Sequence, residues 1–210
     1  VACLKAGKHV ICAVPAALTI EEAEELLDTV KKTGLTYMMA ETSYYQQPTI
    51  SARKFWQEGK FGNIFYTEAE YHHAGLEELW FNADGSPTWR HGYPPMLYPT
   101  HSTSGPVCVM NARAVKVNAH GTPIPKGDPY FEDVAFANET ALFKMDNGSS
   151  VRICEYRRCA FACIESFSIY GTRGCYVKKK GHREEDTWQD LYSERTLAVE
   201  EMRDPLPEAV

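Results

Sequence analysis

The stretch Ala6-Gly7-Lys8-His9-Val10-Ile11-Cys12-Ala13-Val14-Pro15-Ala16-Ala17-Leu18-Thr19-Ile20-Glu21-Glu22-Ala23 decides the fold of this 210-residue chain. Residues 2–5 read as the tail of a helix, and Gly7 stops it. Residues 9–14 are a short apolar run with β-branched members, a strand pattern. Thr19 then offers an N-cap hydroxyl, Glu22 sits three residues later as in a capping box, and acidic side chains crowd the first turn. Apolar residues at 23, 26, 27 and 30 form a helical stripe, closed by Lys31-Lys32 and Gly34. Residues 35–40 read as the next strand. Strand, helix and strand in this order make a βαβ unit, which requires a parallel pair and a right-handed crossover.

Past residue 45 the rhythm changes. Pro48 precedes a helix expected over 50–58 and ended by Gly59, and residues 63–72 follow as an extended strand. A loop from 74 to 95 is long enough to carry function. Residues 95–110 read as a second helical or irregular segment. From there on the pattern is strand-like only, over 114–119, 138–145, 150–163 and 165–178. Asp146-Asn147-Gly148 is a hairpin signal between two of these runs. The second half is therefore expected to be a mostly antiparallel sheet. Residues 179–210 form a charged tail with Pro205 and Pro207 and no core stripe, expected to be extended or disordered in part.

Composition excludes several function classes. The chain carries 22 Lys+Arg against 28 Asp+Glu, a net charge of −6, with no basic block. Nucleic-acid affinity rests on neutralising phosphates, so that class of partner is not expected. No run approaches the ~18 apolar residues of a membrane-spanning helix. The longest, residues 10–18, is interrupted by Pro15, and it is too strand-like in its first half to serve as a signal peptide. The chain starts at Val1 rather than Met, so it is expected to begin partway through a longer protein. Its seven cysteines, at 3, 12, 108, 154, 159, 163 and 175, form no C-x-x-C ladder, which leaves no metal site in view. Several sit in apolar strand contexts, and reduced thiols in a cytoplasmic protein are the expectation. Cys159 and Cys163 share a strand face but stand too far apart along it to bridge.

The opening stretch also resembles a late βα step of the nucleotide-binding domain in Gfo/Idh/MocA-type oxidoreductases. Further matches are Gln57-Glu58-Gly59-Lys60-Phe61-Gly62-Asn63-Ile64, Glu70-Tyr71-His72-His73 and Ile169-Tyr170-Gly171-Thr172-Arg173-Gly174. The resemblance spans residues 2 to 178. It implies an α/β (α+β) chain: the end of a Rossmann-like parallel sheet, then a mostly antiparallel sheet domain with helices on one face. On this reading residues 1–45 are the C-terminal part of a dinucleotide-binding domain and 46–178 the sheet domain. Residues 179–210 are then its charged, incomplete end. The family further implies NAD or NADP as cofactor, a sugar or polyol as substrate, and a homo-oligomer formed through the open sheet face. Alternation of Val151, Ile153 with Cys154, Tyr156 leaves apolar groups on both faces, as such an interface requires.

Two departures from the family pattern matter. The glycine-rich phosphate turn is absent, its place falling upstream of residue 1, so tight NAD binding by these residues alone is not expected. The usual Glu-Lys-Pro is here Ala13-Val14-Pro15, and Val14 cannot help deprotonate a hydroxyl. The variant is similar to the Glu-Val-Pro-Ala-Ala of the NAD-dependent α-N-acetylgalactosaminidase branch, as is Tyr98-Pro99-Thr100-His101. The Asp that most dehydrogenases of the family place four residues before the His is Leu97. In that branch a sugar carbon is oxidised, the aglycone eliminated and the product re-reduced. A redox-neutral glycosidase or lyase therefore stands beside the dehydrogenase reading. A non-catalytic binding or oligomerisation module is the third, raised by the lost Lys, Asp and glycine turn.

The candidate site residues follow from chemistry and resemblance together. Oxidising a secondary alcohol requires a base for the O–H proton, and His101 is the side chain best tuned for that near neutral pH. A spacing of three puts Tyr98 on the same face if the segment is helical, where its phenol assists; the bland alternative is a satisfied histidine beside a core aromatic. Tyr71 is a second candidate phenol. Of His72 and His73, neighbours on a strand, only one can face the cleft, and His73 is placed among the substrate-binding residues. The resemblance brings Trp89-Arg90 to the nicotinamide end of the cofactor together with Ala13, Val14 and Pro15. Tyr44 and Tyr45 fall where the family lines its substrate pocket; packing is the alternative for these and for the Trp-Arg pair.

Overall fold

A computed structural model describes residues 1–124, 126–128, 135–160, 164–178, 187–190 and 194–196. The chain divides into two compact units, Val1–Thr42 and Ser43–Val210.

The first unit holds α1 (Ala2–Lys5), β1 (Val10–Cys12), α2 (Ile20–Thr33) and β2 (Tyr37–Met39). β1 and β2 are parallel, with Val10 opposite Tyr37 and Cys12 opposite Met39, as the βαβ reading requires. The capping pattern works as expected at one end and with a shift at the other. Thr19 Oγ1 accepts the Glu22 N–H at 3.2 Å, while the Glu22 carboxylate reaches back to the N–H of Leu18 rather than Thr19, at 2.8 Å. Gly34, at φ 66°, ends α2 in the left-handed conformation that costs other residues strain.

The second unit contains α3 (Gln47–Gln57), β3 (Ile64–His72), α4 (Thr100–Met110), β4 (Ala114–Pro123), β5 (Phe136–Met145), β6 (Ser150–Tyr156), β7 (Ile164–Gly171) and β8 (Gly174–Lys178). The backbones of β9 (Thr187–Asp190) and β10 (Glu194–Thr196) complete an eight-stranded sheet of order β10-β9-β8-β7-β3-β6-β5-β4. Every neighbouring pair is antiparallel except β3 and β6. A parallel pair cannot be joined by a hairpin, and the crossover between β3 and β6 carries α4.

Three elements differ from the sequence reading. α3 starts before Pro48 rather than after it, because proline is tolerated in a first turn, where its missing N–H would be unbonded anyway. The run 150–163 is not one strand: β6 stops at Tyr156, and Cys163 lies outside the described residues. The run 165–178 folds back on itself at Thr172-Arg173. That turn needs Gly171, since a Cβ there would meet the Phe61 carbonyl oxygen at 2.1 Å.

Helices α3 and α4 cover one face of the sheet. Phe55 and Ala52 of α3 and Val109 of α4 meet Val151, Ile153 and Phe167 in the main core. Each large apolar side chain so buried contributes roughly 1.5–3 kcal/mol. Gly105 lets α4 sit low on β7, for a Cβ there would come within 2.6 Å of the Phe167 ring. The other face is more polar than the alternation of Val151, Ile153 with Cys154, Tyr156 suggests. Arg152 bridges Glu68 at 2.8 Å and Glu70 at 3.2 Å across it, and Tyr66 donates to Glu68 at 2.9 Å. Among the described residues no helix is long and apolar enough to cross a membrane.

Candidate active site

The site is built on a row of side chains crossing the helix-covered face of the sheet. Register places Tyr71 of β3 between Glu165 of β7 and Glu155 of β6, with Glu139 of β5 beside Glu155. Each carboxylate ties down a different element above the sheet. Glu139 accepts the Met96 N–H at 2.6 Å, holding the short turn Pro95–Leu97. Glu155 accepts the Ser102 hydroxyl of α4. Glu165 accepts from the Gln46 amide at 3.2 Å, at the head of α3. The segments that carry the candidate residues are thus anchored through buried or half-buried acids.

His101 lies in the first turn of α4, and both its ring nitrogens are engaged. Nε2 meets the Tyr98 hydroxyl at 2.7 Å and Nδ1 meets Ser43 Oγ at 2.9 Å. The Tyr98–His101 contact does not arise as the spacing argument has it. Tyr98 precedes the helix, ending the turn Pro95–Leu97, and the chain bends there before α4 begins at Thr100. The Tyr71 ring lies 4.7 Å from His101, and His73 lies 5.6 Å from Tyr71. Tyr93 extends the aromatic row at 6.5 Å from Tyr98, and Trp89 at 5.9 Å from Tyr93. His72 points the other way, to Tyr156 and Glu70 on the open face, as strand alternation demands.

A buried charge pair sits beneath these rings. The Arg157 guanidinium lies 5.2 Å from the Tyr71 ring centre and 5.9 Å from that of Tyr98, and its Nη2 is 2.9 Å from Glu155 Oε2. Burial pushes the Glu155 carboxyl up to about 7, against the pull of Arg157 and the Ser102 hydrogen bond. Burial likewise raises the Tyr71 phenol, and pushes Tyr93 up to about 12, with Arg157 drawing both the other way. His73 is lowered, first by burial. The cluster therefore places an imidazole between a serine and a phenol, above a fixed cation. Such an arrangement can pass a proton between a hydroxyl and an imidazole.

The structure brings Tyr71, His73, Tyr98 and His101 together. Trp89 and Arg90 stack on each other, the guanidinium 4.4 Å above the indole, and join the cluster only through Tyr93. Tyr44 packs under Arg53 of α3 at 4.1 Å, and Tyr45 is exposed. Ala13, Val14 and Pro15 belong to the first unit, in the loop after β1. Sequence reasoning missed Ser43, Ser102, Glu155 and Arg157. One signal was available for Glu155: after Val151 and Ile153 it falls on the core face of its strand, where a charge needs a reason. No group of three or more His, Cys, Asp or Glu side chains able to hold a metal occurs among the described residues.

The fold matches those of solved oxidoreductases. A levoglucosan dehydrogenase, solved with NADH and levoglucosan, superposes with a TM-score of 0.77 at 23% identity, over 100% of this chain and 61% of that one. An inositol dehydrogenase homologue from Azotobacter vinelandii, solved with NADH and myo-inositol, gives 0.76 at 18% identity, over 93% and 51%. Residues 1–41 match the profile of the oxidoreductase family with an NAD-binding Rossmann fold. An α-N-acetylgalactosaminidase of Bacteroides fragilis is 39% identical over 114 residues, 49% of this chain and 25% of that protein. The chain is similar over these stretches to the Gfo/Idh/MocA-type oxidoreductases, and it spans about a quarter of the length of this curated relative.

The family's dinucleotide can be tested against the residues of the first unit. The loop after β1 leaves the C-terminal end of a parallel strand, where open α/β sheets receive ligands, and residues 13–17 carry no charge. It fits an uncharged ring. The N-terminus of α2 does not fit a pyrophosphate: Thr19 and Glu22 occupy amides there, and Glu21 and Glu22 oppose an anion. Ala13, Val14 and Pro15 could thus hold an uncharged part of the group but not its phosphates.

Proposed function

We propose that the full-length protein is an NAD(P)-dependent oxidoreductase acting on a secondary alcohol of a sugar or polyol. Residues 1–45 would complete its dinucleotide-binding domain and 46–178 its substrate domain. The observation that carries this reading is the hydrogen-bonded pair of His101 Nε2 and the Tyr98 hydroxyl at 2.7 Å, set in this family's fold. When bound, the nicotinamide accepts or returns a hydride. His101 takes the hydroxyl proton as general base, Tyr98 assists, and Tyr71 lines the same cleft. His73, Tyr44 and Tyr45 are assigned to the substrate, and Trp89 and Arg90 to the cofactor side. We further assign a homo-oligomer through the open sheet face and a cytoplasmic location.

Single-turnover formation of reduced cofactor over a panel of sugars tests the reading in the full-length gene product. His101→Ala is expected to slow turnover roughly 10²–10⁴-fold while cofactor affinity holds. Unchanged turnover in that variant would remove His101 from the chemistry. A second reading is favoured by the likeness to the B. fragilis α-N-acetylgalactosaminidase: a redox-neutral glycosidase. It shares the hydride step but returns the hydride, so aglycone release without net reduced cofactor distinguishes it.

A further inference from the structure

We propose that Ser43 is a positioning residue that holds His101 as its Nδ1–H tautomer, so that the Tyr98 hydroxyl donates to Nε2 and relays the substrate proton to the imidazole. The inference deepens the reading of His101 as the base and rests on it. It also changes the order of the two groups, for Tyr98 stands between the substrate and His101 rather than beside them.

Both ring nitrogens are within hydrogen-bond distance of a hydroxyl, Nδ1 at 2.9 Å from Ser43 Oγ and Nε2 at 2.7 Å from the Tyr98 oxygen, and the distances suit either tautomer. The chemistry of the two hydroxyls makes the assignment. A phenol is far more acidic than a serine hydroxyl and is the better donor to a free imidazole nitrogen, while an sp³ hydroxyl accepts an N–H well. The serine is also fixed. Ser43 is 1% exposed, and its carbonyl accepts the Thr49 hydroxyl at 2.8 Å, which locks it to the first turn of α3. Around the ring stand Tyr71 of β3 and His73 just past its end, with Glu155 of β6 and Arg157 just past that strand's end.

With both nitrogens engaged, a substrate hydroxyl reaches the imidazole through the phenol. Its proton passes to the Tyr98 oxygen as the Tyr98 proton passes to Nε2. The substrate oxygen's electron pair forms the carbonyl as hydride leaves for the nicotinamide. His101 ends as imidazolium with Nδ1–H still on Ser43, and the phenol is regenerated. In the other tautomer Nε2 would bear the hydrogen and have no lone pair to receive a proton.

Long-range ¹H–¹⁵N correlation of His101 in the full chain, at a pH where the ring is neutral, reads the tautomer directly. A protonated Nδ1 with a bare Nε2 is expected in the wild type. Ser43→Ala is expected to mix the tautomers and Ser43→Thr to keep the single one. A wild-type Nε2–H form, or an unchanged spectrum in Ser43→Ala, overturns the proposal, and the wild-type measurement stands even if the alanine variant fails to fold. In the full-length enzyme Ser43→Ala should lower kcat about 10–100-fold, as loss of an orienting partner commonly does, with KM nearly unchanged and Thr restoring it. Tyr98→Phe should then cost as much as His101→Ala; a mild effect sinks the relay. Absence of turnover on any substrate would instead defeat the oxidoreductase reading and leave the tautomer result intact.

Discussion

Arg152 and Arg157 lie five residues apart, each facing glutamate, on opposite faces of the same sheet. Arg152 is 33% exposed and shares its guanidinium between Glu68 and Glu70 on the open face. Arg157 is 5% exposed, and its partner Glu155 is 0% exposed, beneath α4. In a half-solvated setting an ion pair gains little, because water screens it and both charges were well hydrated before folding. In a buried setting both charges have lost their water, and each depends on the other to offset that cost. The same residue types therefore do different things. One pair contributes modestly to a surface, while the other creates a fixed cation under two phenols and a histidine.

The strongest way to break this comparison is to remove the buried cation. Arg157→Leu is expected to cost about 3–5 kcal/mol above pH 8, since Glu155 then has no counter-charge, and distinctly less near pH 5, where that carboxyl is protonated. Urea melts at the two pH values measure it. A uniform loss below 1 kcal/mol would show the two pairs to be equivalent.

A smaller effect sharpens the electrostatics of the acid. The folded Glu155 titrates near 7, above the 4.5 of an ordinary glutamate. Below about pH 4.5 both folded and unfolded chains hold the proton, and between there and about 7 only the folded chain does. The folded state then binds more protons, so stability falls as pH rises through that window and levels off above it. Ser102→Ala removes a hydrogen bond that favours the carboxylate, and should extend the fall to higher pH. Glu155→Gln should abolish it. An identical pH profile of urea midpoints in all three proteins would refute the assignment.

The smallest change belongs to the open face. In a dilute monomer, where the open face is exposed, Arg152→Ala is expected to cost about 1 kcal/mol or less, and the loss should shrink further in high salt. If it proves as costly as Arg157→Leu, the open face is covered in solution, as the proposed homo-oligomer requires. Light scattering alongside the melt separates that outcome from a simple monomer.

Much of this architecture is local and was legible as such. Thr19, Glu22 and Gly34 mark the ends of α2 through groups within a turn of one another, and Asp146-Asn147-Gly148 marks the β5–β6 hairpin for the same reason. Pro48 misled by three residues because a first-turn proline and a pre-helix proline look alike in sequence. The end of β6 at Tyr156 was not legible, since apolar residues resume at Cys159 and Ala160 after the pair Arg157-Arg158.

The site divides in the same way. His101 and Tyr98 were singled out because their chemistry lies in one short segment that resembles a known branch, although a bend before α4 rather than helical spacing brings them into contact. Ser43 was not, because nothing about a serine fifty-eight positions upstream says which histidine it meets. Glu155 and Arg157 read as ordinary strand charges until the sheet and α4 close over them. Local propensity, capping and alternation are properties of neighbouring residues, so the sequence by itself determined the elements, their order and the candidate base. Burial and hydrogen-bond partnership are properties of distant segments brought together. The tertiary structure alone decided which charges lost their water and which hydroxyls hold the imidazole.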